Sequence, residues 1–125
     1  MTPVSFVAFL EATKSRLSED QIEALNPNKL YFQEGNCYFG VGFSDDFKIC
    51  WLSIAVGKGP RWFWEFKREI KSLGCEKLGW VCRIDTPSYE VARYYKAEIA
   101  DKGDRYKNGD IAFECWIDLN GGRNG

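Results

Sequence analysis

The first chemical fact about this 125-residue chain is an absence, for it contains no histidine. That removes the usual general base, the Ser-His and Cys-His nucleophile pairs and the commonest metal ligand. Chemistry here has to come from carboxylates, Tyr, Ser, Cys, Lys or the backbone. Two segments place such groups at telling positions. Gly57-Lys58-Gly59-Pro60-Arg61 lies between the apolar run Trp51 to Val56 and the aromatic Trp62-Phe63-Trp64. Its glycines permit close backbone approach, a helix opening after it would attract anions, and Lys58 and Arg61 add positive charge at the same spot. The chemistry would be that of holding an anion such as a phosphate. The same residues also read as an ordinary strand-to-helix turn. In the second segment, Asp85-Thr86-Pro87 starts a helix on which Ser88, Val91 and Tyr95 share a face at steps of three and four, with Tyr94 alongside. Tyr95 equally reads as a core-facing aromatic of an amphipathic helix.

The remaining reactive groups are less pointed. Asp45, Asp46 and Asp85 sit in turns, where a carboxylate near the mouth of a site could accept a proton and where solvated carboxylates are also common. The five cysteines, Cys37, Cys50, Cys75, Cys82 and Cys115, include no C-x-x-C pair. They suggest neither a zinc ribbon nor a disulfide framework, and they read as small apolar core residues in a reducing compartment. No residue set points to a metal.

Elements must position these groups, and the patterning supplies them. Thr2 as cap with Pro3 at the first position opens a helical region from about residue 3 to about residue 25, with Phe6, Phe9, Leu10 and Leu17 near one face. A second helical piece starts at Ser18, where Ser18-Glu19-Asp20-Gln21 fits a capping box. From Leu30 the pattern turns to short aromatic and β-branched runs: Leu30 to Glu34, Cys37 to Phe43, and Phe47 to Val56. The short turns between them imply an antiparallel meander. After Gly57-Lys58-Gly59, Pro60 opens a helix whose apolar stripe is Phe63, Phe66, Ile70 and Leu73, and Gly74 is its left-handed stop. Lys77 to Ile84 is a strand, the Asp85 helix carries the face on to Ile99, and the Asn108-Gly109 hairpin leads into the alternating strand Ile111 to Leu119. The order is ααβββαβαββ, an α/β (α+β) fold with a mixed, mostly antiparallel sheet flanked by helices. It forms a single domain over residues 1–119, and residues 120–125 are expected to be a mobile tail.

The charge balance narrows the partners. Lys plus Arg number 17 against 18 Asp plus Glu, a formal charge of −1. The aromatic strands Tyr31 to Phe43 could stack bases, but the absence of a broad positive field argues against nucleic acid. No basic-then-apolar leader opens the chain and no apolar run approaches ~20 residues. A soluble, intracellular, cytoplasmic protein is expected.

Order and residues together resemble the Gcn5-related N-acetyltransferase (GNAT) family over roughly residues 30 to 119. The two N-terminal helices fit the family's usual pair, and the resemblance is to short, divergent members encoded by phages. The resemblance implies that acetyl-CoA is the co-substrate. Its pyrophosphate would be cradled by Gly57, Lys58, Gly59, Arg61 and Trp62, and its thioester carbonyl held by backbone N–H groups around Ile54, Ala55 and Val56. It further places Ser88, Val91 and Tyr95 on the family's Asn-x-x-Ala-x-x-x-Tyr helix. Tyr95 then takes the role of the acid that protonates the departing thiolate, with Tyr94 in that role if the register slips by one. A phenol of pKa about 10 suits a leaving group of similar basicity. Two departures are plain: the phosphate loop is contracted, with Pro60 removing a donor N–H and Trp62 and Trp64 in the first helical turn, and Glu98-Ile99-Ala100 stands where the family has Gly-Phe.

The activity implied is acyl transfer from acetyl-CoA to an amine, on a small molecule or a protein. The departures motivate an alternative, a catalytically inactive phage protein of the same fold. It would act as a binding or virion-associated component on a host or virion protein, in the host cytoplasm. Exposed Trp62, Trp64 and Tyr94 would then form an interaction patch.

Overall fold

The computed structural model describes residues 1–57 and 61–120; Lys58, Gly59 and Pro60, and residues 121–125 of the expected tail, lie outside the described residues. The chain opens on a short strand, β1 (Thr2–Val4), which pairs antiparallel with the strand β2 (Leu30–Glu34) and puts Pro3 opposite Phe32. This corrects the expected helix start at Thr2. An edge strand tolerates a residue without an N–H, so Pro3 is as well placed there as at a first helical turn. The helix begins instead at α1 (Phe6–Thr13), where the Ser5 hydroxyl accepts from the Ala8 N–H at 3.0 Å. A 3-10 turn (Lys14–Arg16) and α2 (Glu19–Glu23) follow, and the latter carries the expected Ser18 and Gln21 capping box.

The meander is as the turns require: β2, β3 (Cys37–Phe43) and β4 (Ile49–Val56) pair antiparallel in sequence. Gly35, at φ 60, supplies the left-handed residue of the two-residue connection. Next come α3 (Arg61–Ser72), β5 (Lys77–Cys82), α4 (Pro87–Tyr94) and the hairpin β6 (Glu98–Arg105) and β7 (Ile111–Asp118). All seven strands form one sheet in the order β1-β2-β3-β4-β5-β7-β6, in which β4 and β5 are the parallel pair. The fold class is therefore as the sequence predicts, with β1 added ahead of the first helix.

The larger core lies between the sheet and α3 with α4, and is built on Phe39, Cys50, Phe63, Phe66, Ile70, Leu78, Cys82 and Ile117. A smaller one, Phe9 with Tyr31 and Val56, seals α1 onto β2 and β4. All five cysteines are buried within the fold.

Two helix ends differ from the expected ones. Leu73 is 64% exposed rather than on the buried stripe, because Gly74 (φ 99) reverses the chain and sends Cys75 into the core instead. Helix α4 stops at Tyr94, with Tyr95 as its cap and Lys96 left-handed at φ 54, so Ile99 belongs to β6, opposite Cys115.

Candidate functional site

Two strands that run parallel and then part create the first feature of the site. β4 and β5 pair over Ile49 to Leu52 and Lys77 to Trp80. β4 then continues to Val56 on β3 alone, and β5 continues to Cys82 on β7 alone. A bulge accompanies the parting: Val41 faces Leu52 but Gly40 faces Ile54, leaving Ser53 as the extra residue, and its hydroxyl donates to the Gly40 carbonyl at 3.0 Å. Bulges bend a strand and raise its twist, which turns the end of β4 away from β5. One backbone edge of Ser53 to Val56 therefore borders a notch where β5 would otherwise be. Ile54, Ala55 and Val56 stand on that edge; Ala55 is exposed, while Ile54 and Val56 send their side chains toward the smaller core.

Gly57 closes the strand at φ 145, and a Cβ there would come within 2.8 Å of the Cys37 Cα. Its lack of a side chain is thus required by packing against β3, independently of any ligand. Lys58 and Gly59, which the sequence reading places in an anion-holding turn, lie outside the described residues, and Arg61 is the exposed first residue of α3.

The second feature is a cavity of about 870 Å³ between the start of α3 and α4. Trp62, Phe63 and Trp64 form one wall and Glu90, Val91, Arg93, Tyr94 and Tyr95 the other. Trp62 is held in place by stacking on Phe39 at 5.2 Å between centroids. Phe63 is the hinge of the arrangement: it meets Trp80 of β5 edge-on at 5.9 Å and Tyr95 at 5.2 Å, so the cavity adjoins the point where β4 and β5 part. Trp64 and Tyr94 form its rim, 58% and 77% exposed.

Tyr95 is half-buried at the helix cap. Burial pushes its phenol above the ordinary tyrosine value; a hydrogen bond from the Trp64 indole works against that rise, and neighbouring Tyr94 adds to it. The phenol is therefore protonated at neutral pH in the wall of the cavity, the state required of a proton donor. Beneath it lies a residue that the sequence reading did not single out. Lys67 is buried, its ammonium 4.2 Å from the centroid of the Tyr95 ring, and burial lowers its pKa. The signal was present: Lys67 lies on the stripe of Phe63 and Ile70, where a cation is out of place.

Ser88 is not in this cavity. Its hydroxyl lies 3.1 Å from that of Thr86, the cap of α4, and its carbonyl accepts from the Trp80 indole at 3.1 Å. It faces a second, polar concavity of about 680 Å³ between α2, the start of α4 and the β6–β7 turn. The reason is position along the helix axis: Ser88 and Tyr95 share a face but stand at opposite ends of α4. Across the mouth of that concavity Lys107 pairs with Asp20 at 3.6 Å.

Of the candidate bases, Asp46 is a turn former. It accepts from Ser44 and the Lys48 N–H, contacts that lower its pKa. With Asp45 it sits at the far end of β4 from Gly57, a strand of eight residues and so roughly 26 Å at about 3.3 Å each. Asp85, left-handed at φ 64, is at the site end of the sheet, beside the cap of α4. No group of three or more His, Cys, Asp or Glu among the described residues is arranged to hold a metal ion. None of the described helices is long and apolar enough to cross a membrane.

Comparison with known proteins gives no matching family model and no matching curated protein. Solved structures do match. The ribosomal-protein-S18-alanine N-acetyltransferase from Escherichia coli superposes with a TM-score of 0.63 at 12% identity, over 94% of this chain and 92% of that one. Ard1 from Thermoplasma volcanium gives 0.63 at 10% identity, over 94% and 96%. A Bacillus subtilis acetyltransferase in complex with CoA gives 0.51 at 13% identity, over 81% and 84%. The chain has the GNAT fold over nearly its whole length.

Proposed function

We propose that this chain is an acyl-CoA-dependent N-acyltransferase that moves an acetyl group from acetyl-CoA to an amine. The observation that carries the reading is the position of Tyr95, a protonated phenol in the wall of the α3–α4 cavity and one ring away from the β4–β5 notch. The parted strands offer the backbone of Ile54 to Val56 as an edge for an extended thioester, whose carbonyl takes hydrogen bonds from N–H groups there. The pyrophosphate would rest on Gly57, Lys58, Gly59, Arg61 and Trp62, with the N-terminus of α3 behind them.

In this reaction the neutral amine attacks the thioester carbonyl and a C–N bond forms. The C–S bond then breaks, and Tyr95 gives its phenolic proton to the leaving sulfur while the amine loses a proton to solvent. Tyr95 rather than Tyr94 is the donor, since Tyr94 is turned out to the rim. The acceptor approaches through the polar concavity at Ser88, which shares α4 with the cavity but opens on α2 and the β6–β7 turn. A coenzyme and an acceptor would thus reach the same helix at its two ends. The exposed Trp64 and Tyr94 belong to the coenzyme cavity itself, so they favour this reading over a docking patch on an inactive protein.

The test is free-thiol release from acetyl-CoA in the presence of a panel of small amines and peptide N-termini. Thiol release that depends on an amine, with the acetyl group found on that amine by mass spectrometry, is the expected result. Absence of release with every amine in the panel overturns the reading.

A further inference from the structure

Lys67 is the charged side chain that the described fold buries, at 9% exposure. Phe63, four residues before it, and Ile70, three after it, are both buried, so Lys67 lies on the buried face of α3. None of the ion pairs among the described residues includes it. Its nitrogen is instead 4.2 Å from the Tyr95 ring centroid and 5.8 Å from that of Phe63. A buried ammonium without a carboxylate is costly to keep, and only part of the cost returns through the negative faces of the two rings. A methionine or leucine at this position would fill the same space without that cost, so the charge itself calls for an explanation.

We infer that Lys67 is a positioning residue for Tyr95: its ammonium against the ring face fixes the phenol at the cavity wall and stabilises the phenolate formed when that proton is given up. The inference rests on the acyl-transfer reading for the proton's destination. In that step the Tyr95 O–H bond breaks as an S–H bond forms, and the negative charge passes from sulfur to the phenolate. Delocalisation carries part of the charge into the ring carbons beneath the Lys67 nitrogen. Solvent then returns a proton to the phenolate.

The other groups around the phenol do not replace this cation. Tyr94 raises the phenol further and the Trp64 indole donates to it. Glu90 and Arg93 of α4 line the same cavity with opposite charges. Phe63 of α3 contributes only a ring face.

The experiment titrates tyrosinate by ultraviolet difference absorption in the intact chain, in the wild type, Lys67→Met and Lys67→Arg. The matching Tyr95→Phe background is subtracted from each, so that the other tyrosines cancel. Lys67→Arg, whose guanidinium stays charged throughout the titration, is expected to hold the Tyr95 midpoint about one pH unit below that of Lys67→Met, about tenfold more tyrosinate at a fixed pH. The wild-type amine, whose pKa burial lowers, should give a midpoint between the two, and the alkaline limb of kcat should follow the same order. Equal midpoints in folded Lys67→Arg and Lys67→Met proteins overturn the inference, and Lys67→Gln replaces Lys67→Met in the comparison if the Met variant does not fold. The titration needs no substrate, so a protein that transfers no acyl group but shows the shift overturns the acyl-transfer reading alone and leaves the positioning role standing.

Discussion

Tyr95 stands where the demands of packing and chemistry meet. It caps α4, packs on Phe63, lies with its ring face against the Lys67 ammonium, and belongs to the cavity wall. Replacing it with Phe keeps the packing and removes the proton. The expected outcome is a kcat lower by about 10²-fold or more, the usual span of a single acid catalyst, with KM for acetyl-CoA little changed, as steady-state kinetics will show. The same residue makes stability depend on pH. Its folded pKa lies above the unfolded value of about 10, so between these two values the native state binds more protons than the unfolded chain. Stability from this group is therefore full below pH ~10 and is lost as pH rises through the folded pKa. Urea midpoints measured across that window should fall more steeply in the wild type than in Tyr95→Phe; parallel slopes would contradict the assigned burial.

At the scale of elements, the site depends on how β4 ends. The bulge at Ser53 turns the strand, and Gly57 lets it pass Cys37 at a distance no side chain permits. Gly57→Ala combines a left-handed backbone with a Cβ forced to within 2.9 Å of the Cys37 Cβ, a strain of about 1–3 kcal/mol. Its urea midpoint should drop accordingly, and an unchanged midpoint would show that the strand end is looser than described. Most of these elements were legible from local chemistry. Gly35-Asn36 and Asn108-Gly109 fix their hairpins, Ser18 with Gln21 fixes α2, and Thr86-Pro87 fixes the start of α4, because turn and cap residues act within a few positions of themselves. Thr2-Pro3 was misread, since a proline at a helix start and one on a sheet edge look alike until the partner strand is known. Ile99 was misread for a related reason: a step of four fits a helix face, and only Lys96 turning left-handed ends it. In the structure Trp62, Tyr94 and Tyr95 line one cavity, while Ser88 lies outside it because it stands at the opposite end of the eight-residue α4. Lys67 could have been found by asking which polar residue falls on the apolar stripe.

At the scale of the molecule, the sheet supplies two approaches to one helix. The notch and the α3–α4 cavity lie toward the C-terminal end of α4, and the polar concavity with α2 and the β6–β7 turn lies at its N-terminal end. On the proposed reading, the aromatic walls and the β4 edge would add contacts of their own along the coenzyme to those of the turn before α3. The measurement that tests this most directly is a calorimetric titration of the intact chain with acetyl-CoA, repeated on Arg61→Glu. Saturable one-to-one binding, weakened about tenfold by the charge reversal at the head of α3, a difference of about 1.4 kcal/mol, is the predicted result. No binding heat at millimolar acetyl-CoA, with the protein folded, would contradict it.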